Sequence, residues 1–323
     1  MTVPFVSIPE NPAPENGELF DLVTRDRVTL RAARFKAPSD RPFKGTICLF
    51  QGRAEFIEKY FEVIAELNER GFTVAALDWR GQGGSQRRLK NARRGHVAQF
   101  TDFQDDMHVF MEDFVRPEFH PPFFALAHSM GGPIVLEAAR RRSTWWDRIV
   151  LTAPMMGLPG LAADPLTRRL AALLVGFGLG RMFVPGGGAR DYIENGERDI
   201  AKNVLTSDPR RYARLVALCR AAPQLALGSP TVGWLRAAHR AMDLLGDPEQ
   251  VSQIRTPTLF IAAAEDKVVA NRPMELLAAQ MRTADVVTLP TARHEILMER
   301  DAVRDAFWAA FDAFIPGTPT FTD

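Results

Sequence analysis

Phe123-Phe-Ala-Leu-Ala-His-Ser-Met-Gly-Gly-Pro-Ile-Val-Leu136 is the stretch on which the reading of the chain turns. Phe123 to Ala127 is apolar without polar alternation, the pattern of a strand covered on both faces. Met130 to Arg142 reads as a helix, with Ala and Leu along one side and arginines at its end. Ser129 falls on the tight turn between them, with Ala127 two residues before it and Gly131 two after. A nucleophile elbow has this form. Its serine is held in a sparsely populated backbone conformation, and bulky side chains at those two positions would collide. The same turn aims a helix N-terminus, with its free N–H groups, at a reacting carbonyl. Glycine is usual at the first small position, and here it is Ala127. On these five residues alone, a βα unit whose small residues merely allow close helix–sheet packing is the alternative.

The 323 residues suffice for one large domain or two ordinary ones. A hydrophobic share of 46% and a charged share of 24% are those of a globular protein with an ample core. Cys48 and Cys219 have no metal-ligand spacing and read as small buried hydrophobes, which suits a reducing compartment. The first seventeen residues contain four prolines and no basic-then-apolar signal segment. No apolar run approaches bilayer length. The formal charge of +1 exerts no general pull on nucleic acid. These features lead to the expectation of a cytoplasmic protein, with peripheral contact at the inner membrane face left open.

Strands and helices alternate along most of the chain. Residues 1–17 read as an extended lead-in, followed by a hairpin over Phe20–Val23 and Arg27–Phe35. Strands are expected at Gly45–Phe50, Phe72–Leu77, Arg148–Thr152, Pro257–Ala263 and Asp285–Leu289. Helices are expected up to Arg70, over Thr101–Val115, Arg272–Met281 and Asp301–Phe314. This rhythm implies a mostly parallel sheet with right-handed crossovers. It breaks between residues 155 and 251, which read as a helical cap insertion. The expected domain plan is therefore a core of residues 18–154 and 252–323 interrupted by that cap.

A serine hydroxyl needs a general base to become a nucleophile. Of the six histidines, His294 lies just past the last expected strand, on the sheet edge that Ser129 shares. The orienting carboxylate is expected after the preceding strand, where Ala264-Glu265-Asp266-Lys267 supplies Asp266, with Glu265 as its neighbour and competitor. An oxyanion hole needs two backbone donors. Met130 N–H is one, and the loop Gln51-Gly52-Arg53 supplies the other, assigned to Arg53. Asp78-Trp79-Arg80-Gly81-Gln82-Gly83-Gly84-Ser85 lacks the Lys-Ser/Thr of a phosphate loop and reads as a structural turn beneath the site. No cofactor or metal motif is visible, and Gly186-Gly187-Gly188 reads as a hinge.

With these residues in place, the sequence resembles the α/β-hydrolase superfamily. Within it, the likeness is to the monoacylglycerol-lipase and PldB-type lysophospholipase group of serine aminopeptidase S33-like hydrolases. Asp78-Trp79-Arg80-Gly81-Gln82-Gly83, Gly95-His96-Val97 with Phe100, Asp102 and Asp106, Leu126 to Gly132, and His294 to Glu299 carry the resemblance. Ala127 before His-Ser-Met-Gly is familiar in the PldB-type branch. The monoacylglycerol lipases carry His-Gly where this chain has Gln51-Gly52-Arg53. The resemblance implies an α/β-hydrolase fold and hydrolysis of a single acyl ester without metal or cofactor.

Leu170 to Gly180 is apolar all round, which fits a buried cap helix or a surface that meets lipid, with Arg168, Arg169 and Arg181 beside it. The leading expectation is a serine carboxylic-ester hydrolase acting on a lysophospholipid or monoacylglycerol. Two alternatives are a hydrolase of the same fold cleaving a small ester, thioester or prolyl amide, and a catalytically silent lipid-binding protein.

Overall fold

The computed structural model describes residues 2–142, 144–190 and 203–315. Residues 191–202 of the expected insertion and 316–323 of the expected core lie outside them. Strands β1 (Gly17–Val23), β2 (Thr29–Phe35), β3 (Gly45–Phe50), β4 (Phe72–Leu77), β5 (Phe123–His128), β6 (Arg148–Thr152), β7 (Thr258–Ala263) and β8 (Ala284–Leu289) form one sheet. Their order is β1-β2-β4-β3-β5-β6-β7-β8. The β1–β2 hairpin joins β4 antiparallel, and every pairing from β4 to β8 is parallel. All six residues of β3 and of β7 are buried, as a strand covered by helices on both faces requires.

The helices of the two faces are α1 (Phe61–Glu69), α2 (Thr101–His108), α3 (Gly131–Arg141), α7 (Asn271–Ala278) and α8 (Asp301–Phe314). The helix expected over Thr101–Val115 is α-helical only to His108; a π-helical stretch continues it over Val109–Val115. Between β6 and β7 come α4 (Pro165–Gly176), α5 (Pro209–Ala221) and α6 (Val232–Gly246). Among its described residues this segment adds no strand to the sheet. It contributes only isolated bridges, Phe183 to Thr231 and Pro230 to Gly95. Asp164, Asp208 and Thr231 start the three helices by accepting hydrogen bonds from their first-turn amides.

Helix α4 departs from the simpler of its two sequence readings. Ala171 alone is buried along it, while Leu166, Leu170 and Leu173 stand exposed, as do Leu161, Phe177, Leu179 and Met182 around it. Trp145 and Trp146, in contrast, are core residues, with Trp146 edge-on to Phe50 at 5.7 Å.

The Asp78–Ser85 turn is structural. Arg31, buried on β2, pairs at 2.7 Å with both Asp78 and Glu58. Asp78 also accepts the backbone N–H groups of Ile57 and Gly84. A buried pair of this kind is costly to break, by about 3–5 kcal/mol when one partner is removed, so the hairpin and the turn are locked together below the sheet's C-terminal edge.

Candidate active site

Ser129 follows β5 directly and has φ of +50°, a left-handed conformation strained for a residue with a side chain. The sequence makes this turn feasible. A β-carbon on Gly131 would lie 2.8 Å from the Phe50 carbonyl oxygen and 2.9 Å from that of Gln51. Ser129 N–H is held by the Thr152 carbonyl at 3.1 Å, which ties the elbow to the end of β6.

Three strand ends bring the expected side chains together. His294, in the loop after β8, lies with Nε2 3.0 Å from Ser129 Oγ. Its Nδ1 is 2.8 Å from Asp266 Oδ2, in the loop after β7. Asp266 Oδ1 accepts from the amides of Val268 and Val269, fixing the carboxylate. Glu265 is exposed and does not reach His294, so the structure separates the two acids that the sequence left adjacent. His294 and Ser129 are both at least nine-tenths buried.

The loop after β3 faces the elbow so closely that a β-carbon on Gly52 would sit 3.0 Å from that of Ser129. Its polar backbone is nearly all accounted for. Trp79 Nε1 donates to the Gln51 carbonyl, and Gln82 Nε2 to that of Gly52. Gly52 N–H donates to Glu55 Oε2, and Ala54 N–H to Gln82 Oε1. Among the described residues, Arg53 N–H is left without a partner, and so is Met130 N–H at the start of α3. Amide donors left without partners beside a reactive side chain are places where a ligand oxygen can be received.

Beneath these groups lies a network that sequence reasoning missed. Lys59 Nζ bonds Glu55 Oε1 and, at 2.6 Å, Glu295 Oε2. Tyr60 donates to Glu55 Oε2, and His128 Nε2 lies 3.3 Å from Glu295. Burial works against the charged forms of Lys59, His128 and Glu295. The Glu295 and Glu55 charges nevertheless hold the Lys59 and His128 pKa values above their ordinary values, and the Lys59 and His128 charges hold Glu295 well below its own. Glu55, His128 and Glu295 are also close enough together to ligate a cation. The Lys59 ammonium already fills that role for both carboxylates. The available signal was indirect: Glu55 and Lys59 are i,i+4 in a largely apolar stretch, and His128 and Glu295 each adjoin a candidate site residue.

Ser129 and His294 open into a cavity of about 600 Å³. Its walls are apolar, among them Leu158, Leu170, Leu174, Leu215, Trp234 and Val269. Leu161 and Leu170 line it and are also 82% and 46% exposed, so it reaches the surface within the apolar patch around α4.

The fold is that of the α/β-hydrolases, and the chain is a hydrolase. More narrowly, it belongs to the serine aminopeptidase S33 family, whose model matches residues 41–301. It is 33% identical over 314 residues to lysophospholipase L2 of Escherichia coli strain K12, spanning 90% of this chain and 85% of that protein. It is 26% identical over 262 residues to the monoacylglycerol lipase of Mycolicibacterium smegmatis, spanning 79% and 83%. Among solved structures, a soluble variant of monoglyceride lipase from Saccharomyces cerevisiae superposes with a TM-score of 0.73 at 18% identity, over 93% of this chain and 96% of that one. A thermostable carboxyl esterase from Bacillus coagulans gives 0.74 at 20% identity, over 94% and 99%. The resemblance read from the sequence motifs is borne out.

Proposed function

We propose that this hydrolase removes the acyl chain from a lysophospholipid or monoacylglycerol through an acyl-enzyme on Ser129. The observation that carries the reading is the Ser129–His294–Asp266 chain of hydrogen bonds, opening into an apolar cavity. His294 Nε2 takes the proton as Ser129 Oγ attacks the ester carbonyl, while Asp266 holds the imidazole in place and stabilises its charged form. The Arg53 and Met130 amides receive the developing oxyanion. His294 then protonates the leaving alcohol, and water repeats the attack on the acyl-enzyme. The relatives named lysophospholipase and monoacylglycerol lipase support an acyl-lipid ester as substrate. The apolar walls, with room for a hydrocarbon chain, favour a lipid over a small ester.

Residues 155–251 act as the cap in this reading, and the exposed side chains around α4 meet the membrane from which substrate enters. Arg169 on the same helix faces lipid phosphates, while Arg168 beside it is paired with Asp243. The contact proposed is peripheral, at the inner face; among the described residues no helix is long and apolar enough to cross a membrane.

Hydrolysis of lysophosphatidylcholine, monoacylglycerol and short p-nitrophenyl esters by wild type and Ser129→Ala tests the proposal. Serine-dependent cleavage of the long-chain lipids is expected. Undiminished turnover by Ser129→Ala overturns the mechanism, and turnover of short esters alone overturns the substrate class. Absence of labelling by a fluorophosphonate probe would mark a silent binding protein.

A further inference from the structure

Among the described residues, every charged group that lines the cavity has a partner of opposite charge except one. The Glu55 and Glu295 carboxylates that line it share Lys59 and are approached by His128, and His294 faces Asp266. Arg53 also lines the cavity, and among the described residues no carboxylate pairs with it. Its guanidinium spends one N–H on the Gly228 carbonyl, 2.6 Å away, and lies 5.3 Å from the centre of the Trp234 ring. Its Nε is shielded from solvent and has no hydrogen-bond partner. A guanidinium held between an aromatic face and an apolar cavity, with donors unspent, is a site prepared for an anion. Burial alone lowers its pKa to about 10, which leaves it charged at neutral pH.

The reaction at Ser129 narrows the choice of anion. A fatty-acid carboxylate exists only after cleavage, and then at Ser129 itself. A phosphodiester is present before cleavage, carries its charge at every relevant pH, and sits across a glycerol backbone from the scissile ester. That backbone spans about the reach of an arginine side chain, and Arg53 springs from the loop whose amide faces the ester. We propose that the Arg53 guanidinium binds the phosphodiester of a lysophospholipid and so makes the enzyme prefer phosphate-bearing lysolipids to neutral monoacylglycerols. This rests on the serine-hydrolase reading above, in which the Arg53 amide serves the oxyanion whatever its side chain.

The test is the ratio of kcat/KM for lysophosphatidylcholine to that for a monoacylglycerol of the same acyl chain, measured in wild type, Arg53→Met and Arg53→Lys. Methionine keeps the packing against Trp234 without the charge, and lysine keeps the charge without the planar fork. The ratio should fall by about tenfold or more in Arg53→Met, as expected for a lost charged hydrogen-bond pair, mainly through KM for the phospholipid. Arg53→Lys should fall between the two. Glycerol 3-phosphate should inhibit cleavage of a soluble ester by wild type, and about tenfold more weakly in Arg53→Met. A ratio within about twofold of wild type in both variants overturns the proposal. So does inhibition by inorganic phosphate as strong as that by glycerol 3-phosphate, which would make this a free-phosphate site. Failure of the underlying reading appears separately, as lipid hydrolysis that survives Ser129→Ala.

Discussion

Lys59 Nζ lies 2.6 Å from Glu295 Oε2, joining two buried residues 236 positions apart. The same ammonium holds Glu55, whose other oxygen accepts Gly52 N–H, one residue before Arg53. Glu295 directly follows His294, and His128 directly precedes Ser129. One cation thus ties together the two loops that carry the proposed oxyanion donor and base, and the Glu295 it holds lies 3.3 Å from His128 Nε2, beside the proposed nucleophile.

Lys59→Met leaves two buried carboxylates without their cation. Removing one partner of such a cluster costs about 3–5 kcal/mol, to be read as a shift in denaturant midpoint. Turnover should fall as well, because Gly52 and His294 lose a common anchor. Adding Glu55→Gln and Glu295→Gln to Lys59→Met should recover much of the stability. A loss below about 1 kcal/mol in the single variant would show that the cluster does not hold the loops.

Ser129→Ala and Ser129→Gly should both lose turnover by on the order of 10⁴-fold or more. Their stabilities should differ. At φ of +50° alanine retains the strain of a β-carbon and glycine does not, so the glycine variant should be more stable by about 1 kcal/mol. Equal melting temperatures would mean that the elbow stores no strain.

The parallel sheet, and the places where Ser129, Asp266 and His294 would meet, were legible because each residue ends or follows a strand with its own local pattern. Side chains past the C-terminal ends of parallel strands share one edge whatever their separation in sequence. The Lys59 cluster carried no such signal. Lys and Glu in a helix-forming stretch are ordinarily solvated, and only the convergence of three distant loops buries them. Helix α4 misled in the other direction. An apolar surface all round suits a helix packed on every side, but burial depends on what the insertion packs against, and nothing local encodes that.

Glu62 on α1 binds Arg211 on α5 at 2.7 Å and also holds Arg214 on α5 and Arg304 on α8. Burial raises its pKa, but the hydrogen bonds from Arg211 and Arg214 and the Arg304 charge outweigh it, bringing the carboxyl from 4.5 down to about 2. A carboxyl with a depressed folded-state pKa contributes stability above its unfolded value and loses it as pH falls through the folded one. Wild type should therefore lose up to about 3 kcal/mol through this group between pH 4.5 and pH 2. Glu62→Gln should be less stable at pH 7 and show a flatter acid limb in denaturant titrations at stepped pH. Parallel acid limbs for the two proteins would show that the arginine cluster does not tune this carboxyl.

Leu173 and Phe177 are 57% and 74% exposed beside the cavity mouth, and neither lines the cavity. If the α4 face is where lipid is met, burying Phe177 in a bilayer contributes about 1.5–3 kcal/mol. Phe177→Ser should then weaken co-sedimentation with anionic vesicles about tenfold or more, and Leu173→Ser should add to the loss. Long-chain substrate in vesicles should be cleaved more slowly, measured against turnover of a short soluble ester by the same preparation. Raised salt should weaken binding further, since Arg169 acts through screened charge. Vesicle affinity equal to wild type in the double variant would move the lipid contact off α4 altogether. The cavity mouth at Leu161 and Leu170 would then have to be filled from the aqueous phase, by monomeric or micellar lipid.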